Sequence, residues 1–105
     1  MKWFGRGKRR PGTMRTAGTQ DKDHLRAWAA SRVGVEAYLE PRTTVTEFTM
    51  MLIAADGEWT RRRVPSPEHA RELCKKLNIP VYDAALVGYP QRKRDYDARR
   101  SAEGR

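Results

Sequence analysis

The residues able to build a core crowd between Leu25 and Tyr89, and the chain's whole excess of positive charge lies on either side of them. Residues 1–20 hold Lys2, Arg6, Lys8, Arg9, Arg10 and Arg15 and no acid, a charge of +6. Residues 91–105 add +3, from six basic residues against Asp95, Asp97 and Glu103, and the stretch between balances ten basic against ten acidic residues. A fold does not need such segregation for stability, whereas flanks that seek phosphate do. The chain therefore divides into a basic arm (1–20), an α+β domain (21–90) and a basic C-terminal tail (91–105), with both termini expected to be flexible. A domain of about 70 residues supports a modest core and leaves little room for a large substrate cavity.

Within the domain the elements follow from local chemistry. Asp21 and Asp23 suit a helix start, and Leu25, Trp28 and Ala29 recur at helical spacing until Gly34, which predicts a first helix over 22–32. Val35, Ala37 and Leu39 alternate with polar neighbours up to Pro41, as in a half-buried strand, and the β-branched, apolar run 44–55 reads as a longer central strand. Asp56-Gly57 is a hairpin signal, and Glu58–Val64 returns as a third strand, with Trp59, Arg61 and Arg63 on one face and Thr60, Arg62 and Val64 on the other.

Ser66-Pro67-Glu68 opens a helix whose apolar stripe is Ala70, Leu73, Cys74 and Leu77, and Asn78 and Pro80 close it. Val81–Val87 reads as a fourth strand. The order α-β-β-β-α-(β) predicts a small antiparallel sheet of three to four strands with two helices on one face. Both sides of the central strand are apolar, so the second face needs a cover, either an arm or a second copy of the chain. Met50, Met51 and Ile53 are the candidate docking residues.

Candidate chemistry concentrates in the flanks. Trp3 and Phe4 stand beside Arg6, Lys8, Arg9, Arg10 and Arg15, and aromatic rings that stack on unpaired bases next to arginines that neutralise phosphates suit RNA or another single strand. Arg92, Lys93, Arg94, Tyr96, Arg99 and Arg100 repeat the combination at the other end, and Arg61 and Arg63 add cations to the third strand. The plain alternatives are a solvated basic tail and an edge strand guarded by charge.

Catalytic and metal chemistry finds no matching pattern. Cys74, the single cysteine, falls late in a helix on an apolar stripe, which suits a core thiol. His24 and His69 have no further ligand at metal-site spacing. The glycines of residues 5–12 do not complete a nucleotide-binding loop, because no strand precedes them and no helix follows directly. No catalytic residue, metal ligand or cofactor is assigned, and an enzyme is the less favoured class. No apolar run reaches the ~20 residues of a membrane span, and no apolar stretch follows the basic start, so a reduced cytoplasmic protein with no membrane association is expected.

Glu40-Pro-Arg-Thr-Thr-Val-Thr, Asp56-Gly-Glu-Trp-Thr-Arg-Arg-Arg, Ile79-Pro-Val-Tyr-Asp and Val87-Gly-Tyr-Pro-Gln-Arg resemble a small uncharacterised actinobacterial family, over about three-fifths of the chain, from Val35 to Tyr96. Members sometimes carry the loose label oxidoreductase, and the resemblance implies a shared domain, not a known activity. No flavin, nicotinamide or redox-cysteine motif accompanies it here. The element order is also similar to that of double-stranded RNA-binding domains. Those place lysines at the start of their second helix, where this chain has Ser66-Pro-Glu-His-Ala-Arg. The partner expected from all of this is nucleic acid, RNA or a ribonucleoprotein such as a ribosome in the first place. A protein-interaction module, with a homodimer as one form, is the alternative.

Overall fold

A computed structural model describes residues 18–44 and 47–104. Its elements run α1 (Thr19–Ala30), β1 (Glu36–Glu40), β2 (Thr49–Ile53), β3 (Trp59–Arg63), α2 (Pro67–Leu77), β4 (Val81–Asp83), α3 (Ala84–Val87) and α4 (Gln91–Glu103). The fold is α+β around one four-stranded sheet in the order β3-β2-β1-β4.

β1, β2 and β3 form an antiparallel meander, Leu39 opposite Met50 and Met51 opposite Arg61. The sheet is nevertheless mixed and not wholly antiparallel, because β4 pairs parallel to β1, Tyr38 opposite Tyr82. The reason is α2: a helix crossing back after β3 reverses the chain, so that the next strand runs the same way as β1. The expected fourth strand is correspondingly short. At Asp83 the side chain caps a new helix by accepting the Ala85 N–H at 3.0 Å, and the chain turns into α3.

The sheet alternation sorts the core into two layers. Ala37, Leu39, Met50, Leu52 and Ala54 face α1 and α2, where Leu25, Trp28, Ala70, Leu73 and Cys74 close a continuous cluster. α2 is built as its sequence predicts: Ser66 accepts the His69 N–H at 3.2 Å, Pro67 opens the helix, and Asn78 ends it in the left-handed conformation at φ 58°. α1 starts earlier than expected, at Thr19. The Asp21 carboxylate reaches back to the Gly18 N–H at 3.4 Å and acts from inside the first turn, not as the cap itself.

On the opposite face Tyr38, Met51, Ile53 and Ala84 form a second cluster with Trp59 and Tyr89 against it. Its cover comes from the chain itself. Residues 91–103, expected as a flexible tail, are the helix α4, so the helices do not all lie on one face. Met50, Met51 and Ile53, the expected docking residues, are fully buried within the chain, on opposite sides of β2.

α4 buries none of its own residues fully. It is attached by polar contacts at helical spacing. Arg92, Tyr96 and Arg99 lie over the β2–β3 turn: Arg92 Nε donates to the Ala54 carbonyl at 2.9 Å, and Arg99 donates to the Asp56 carbonyl at 3.1 Å. Lys93 and Asp97 meet Trp59, whose indole N–H donates to Asp97 Oδ1 at 2.7 Å. Arg92 also pairs with Glu36 on β1 at 2.7 Å, which holds the Glu36 carboxyl below its ordinary range.

Candidate nucleic-acid interface

Trp59, Arg61 and Arg63 share one face of β3 by the two-residue period, and β3 is an edge strand. α4 runs beside the start of that strand, and between the two lies an open cleft of about 500 Å³ lined by Trp59, Tyr96, Asp97, Arg100 and Ser101. The indole is fixed in place: its N–H is held by Asp97, Lys93 Nζ sits 4.8 Å from the ring centroid, and the Arg61 guanidinium sits 5.4 Å from it. Asp97 brings no free negative charge into the cleft, because Lys93 Nζ pairs with it at 2.6 Å; that pair, with the Trp59 bond, lowers the carboxyl's pKa. Trp59, Tyr96 and Arg100, the last with no acidic partner among the described residues, therefore line one cleft. Rings of this kind stack on unpaired bases, and a cation beside them neutralises phosphate.

Below this cleft the sheet carries a buried polar knot. Glu40 is the one buried charged residue among those described. Arg61 grips its carboxylate as a fork, Nε to Oε1 at 2.8 Å and Nη2 to Oε2 at 2.9 Å, while the Thr49 and Tyr89 hydroxyls both donate to it. Burial alone raises the pKa of a carboxyl, but the donors from Arg61, Thr49 and Tyr89 outweigh it and hold Glu40 below its ordinary value. Tyr38, beside Tyr89 at 5.9 Å between ring centres, is pushed up to about 12 by burial and by donating to Glu36.

The cations singled out in the sequence separate into two groups. Arg61, Arg92 and Lys93 are committed to Glu40, Glu36 and Asp97. Arg94 is exposed and donates to Gln91 Oε1 at 3.1 Å, Arg99 lies over the Tyr96 ring at 5.7 Å, and Arg100 lines the cleft. Arg63 closes the far end of β3 and lines a different pocket, between α1 and α2. Trp3, Phe4, Arg6, Lys8, Arg9, Arg10 and Arg15 lie outside the described residues.

Trp59 was legible in the sequence as a ring sharing a face with two arginines, yet nothing there placed Tyr96 and Arg100 beside it. Elsewhere, His24 on α1 is bound at both ring nitrogens. Arg62 donates to Nδ1 at 3.3 Å, which leaves Nε2 to carry the proton and donate to Thr60 Oγ1 at 2.7 Å. Cys74 is buried with its thiol toward Met50 Sδ, and burial pushes its pKa up to about 11. Among the described residues no group of histidine, cysteine and acid side chains is placed to hold a metal ion, and no helix is long and apolar enough to cross a membrane. Comparison with protein-family models, curated proteins and solved structures gave no match.

Proposed function

We propose that the protein binds single-stranded nucleic acid, RNA or a ribonucleoprotein in the first place, with the cleft between β3 and α4 as the stacking site and the arm as an electrostatic anchor. The observation that carries this reading is the juxtaposition of Trp59, Tyr96 and an acid-free Arg100 in one open cleft. It is supported by the +6 charge of residues 1–20 and by the outward cation Arg94 on the same helix. Bases stack on Trp59 and Tyr96, Arg100 takes a phosphate, and the arm follows the strand without reading its sequence.

The test is a fluorescence titration with a labelled single-stranded RNA. Trp59→Ala combined with Arg100→Ala weakens binding by about tenfold or more, since base stacking on one ring is worth roughly 1–3 kcal/mol. Unchanged affinity in a folded double variant removes the cleft from the account.

Self-association has one observation behind it. Leu86 and Val87 on α3 are 83% and 59% exposed, next to the half-open Tyr82 on edge strand β4. Light scattering on wild type and Leu86→Ser decides this reading: a dimer that the substitution dissociates supports it, and a monomeric wild type ends it.

A further inference from the structure

The N-terminal turn of α1, the end of β3 and one side of α2 enclose a second pocket, of about 160 Å³, well away from the cleft on α4. Its floor is apolar: Leu25, Val64 and Leu73 line it and are themselves buried. Its rim is cationic. Lys22 and Lys76 are exposed and neither has an acidic partner among the described residues, while Arg63 ends β3 there with its side chain on the opposite face of the strand by the two-residue period. Glu72 is the single acid in the lining.

His69 also lines it. One ring nitrogen of His69, Nδ1, is taken by Ser66 Oγ at 2.8 Å, and Nε2 has no protein partner among the described residues. An apolar floor excludes a bare inorganic anion as the best occupant, and two unpaired lysines exclude a neutral hydrocarbon. The two together select a ring that carries an anionic group. Size narrows the ring, because a cavity of about 150 Å³ accommodates one benzene. A single six-membered ring matches the floor.

We infer that this pocket binds a pyrimidine nucleoside phosphate, the base on Leu25, Val64 and Leu73 and the phosphate held by Lys22 and Lys76, with His69 Nε2 available to the base or sugar. The same chemistry is offered by a free nucleotide and by the terminal nucleotide of a strand. The site does not depend on the stacking role of the α4 cleft, from which it shares no residue.

The experiment is a titration of the full chain with uridine monophosphate, followed by NMR on the His69 ring and the Leu25 and Leu73 methyls. Saturable shifts at those signals are expected, with uridine and adenosine monophosphate each binding more weakly. Lys22→Ala combined with Lys76→Ala, two exposed positions whose loss leaves the thermal midpoint in place, weakens uridine monophosphate roughly tenfold, a factor worth about 1.4 kcal/mol. Trp59→Ala with Arg100→Ala leaves it unchanged, so failure of the cleft and failure of this pocket are told apart.

Two further arms, a uridine tetranucleotide with and without a 5′ phosphate, identify the source. Tighter binding of the phosphorylated strand than of the free nucleotide assigns the strand end, and equal binding assigns the nucleotide. No shift at His69 up to millimolar uridine monophosphate, equal binding of uridine, or indifference to the double lysine substitution overturns the inference.

Discussion

Gly57 lies directly under Arg92: a Cβ added at the turn would overlap the Arg92 carbonyl oxygen and stand 2.8 Å from Tyr96 Cβ. The glycine also holds φ +94°, where a side chain is strained whatever the space. Two demands, a hairpin conformation and the close approach of α4, therefore meet at one residue. Gly57→Ala is expected to lower stability by about 1–3 kcal/mol and to loosen α4 from the sheet. Thermal unfolding together with amide exchange across residues 91–103 checks it, and an unchanged exchange pattern contradicts the packing described.

The basic residues divide by what they touch, and substitution separates the two groups. Arg92→Ala removes a pair with Glu36 and the donor to the Ala54 carbonyl, at an expected cost of about 1–2 kcal/mol. Arg94 and Arg100 touch no acid among the described residues, and Arg94→Ala and Arg100→Ala are expected to leave the thermal midpoint within experimental scatter. Their effect falls on nucleic-acid affinity instead. A folded, stable Arg92→Ala with lost binding reverses this assignment.

Glu40 gives the fold a defined acid limit. Its folded pKa lies below the ordinary carboxylate value, so its contribution is fully present above that value and is lost as pH falls through the folded pKa. The wild type is expected to lose stability on acidification below pH 4.5, and Glu40→Gln to lose less over the same interval while starting from a lower midpoint. Chemical denaturation at several pH values measures both slopes. Parallel slopes contradict the network around Glu40.

His24 works in the other pH range. Burial first, and then the Arg62 charge, lower its pKa from 6.5, so the folded state resists protonation and stability falls as pH drops below that value. Arg62→Ala removes one of the lowering causes. The His24 ring signals then titrate at higher pH than in the wild type, and a shift to lower pH contradicts the Nδ1 contact.

Most of the α1-β-β-β-α2 order was legible because each element carries its own local chemistry. Ser66-Pro67 with Asn78 brackets α2, and Asp56-Gly57 marks the hairpin. α4 was not legible, because its sheet-facing stripe is Arg92, Lys93, Tyr96, Asp97 and Arg99, residues that hydrophobic periodicity reads as solvated. For the same reason Arg61, Arg92 and Lys93 looked like free phosphate ligands: their partners Glu40, Glu36 and Asp97 lie at separations that only the folded sheet or one helical turn closes. The parallel β4 depends on where α2 delivers the chain, and Asp83 as a cap hides inside what reads as a continuing strand.

Electrostatic anchoring by the arm beside an aromatic cleft is tested most directly by the salt dependence of single-stranded RNA binding, measured on the full chain. Six arm cations at about 0.7 counterions released per neutralised phosphate predict a log–log slope near −4. Removal of residues 1–17 then flattens the slope, while the remaining affinity still depends on Trp59 and Arg100. A slope near zero for the full chain contradicts the account.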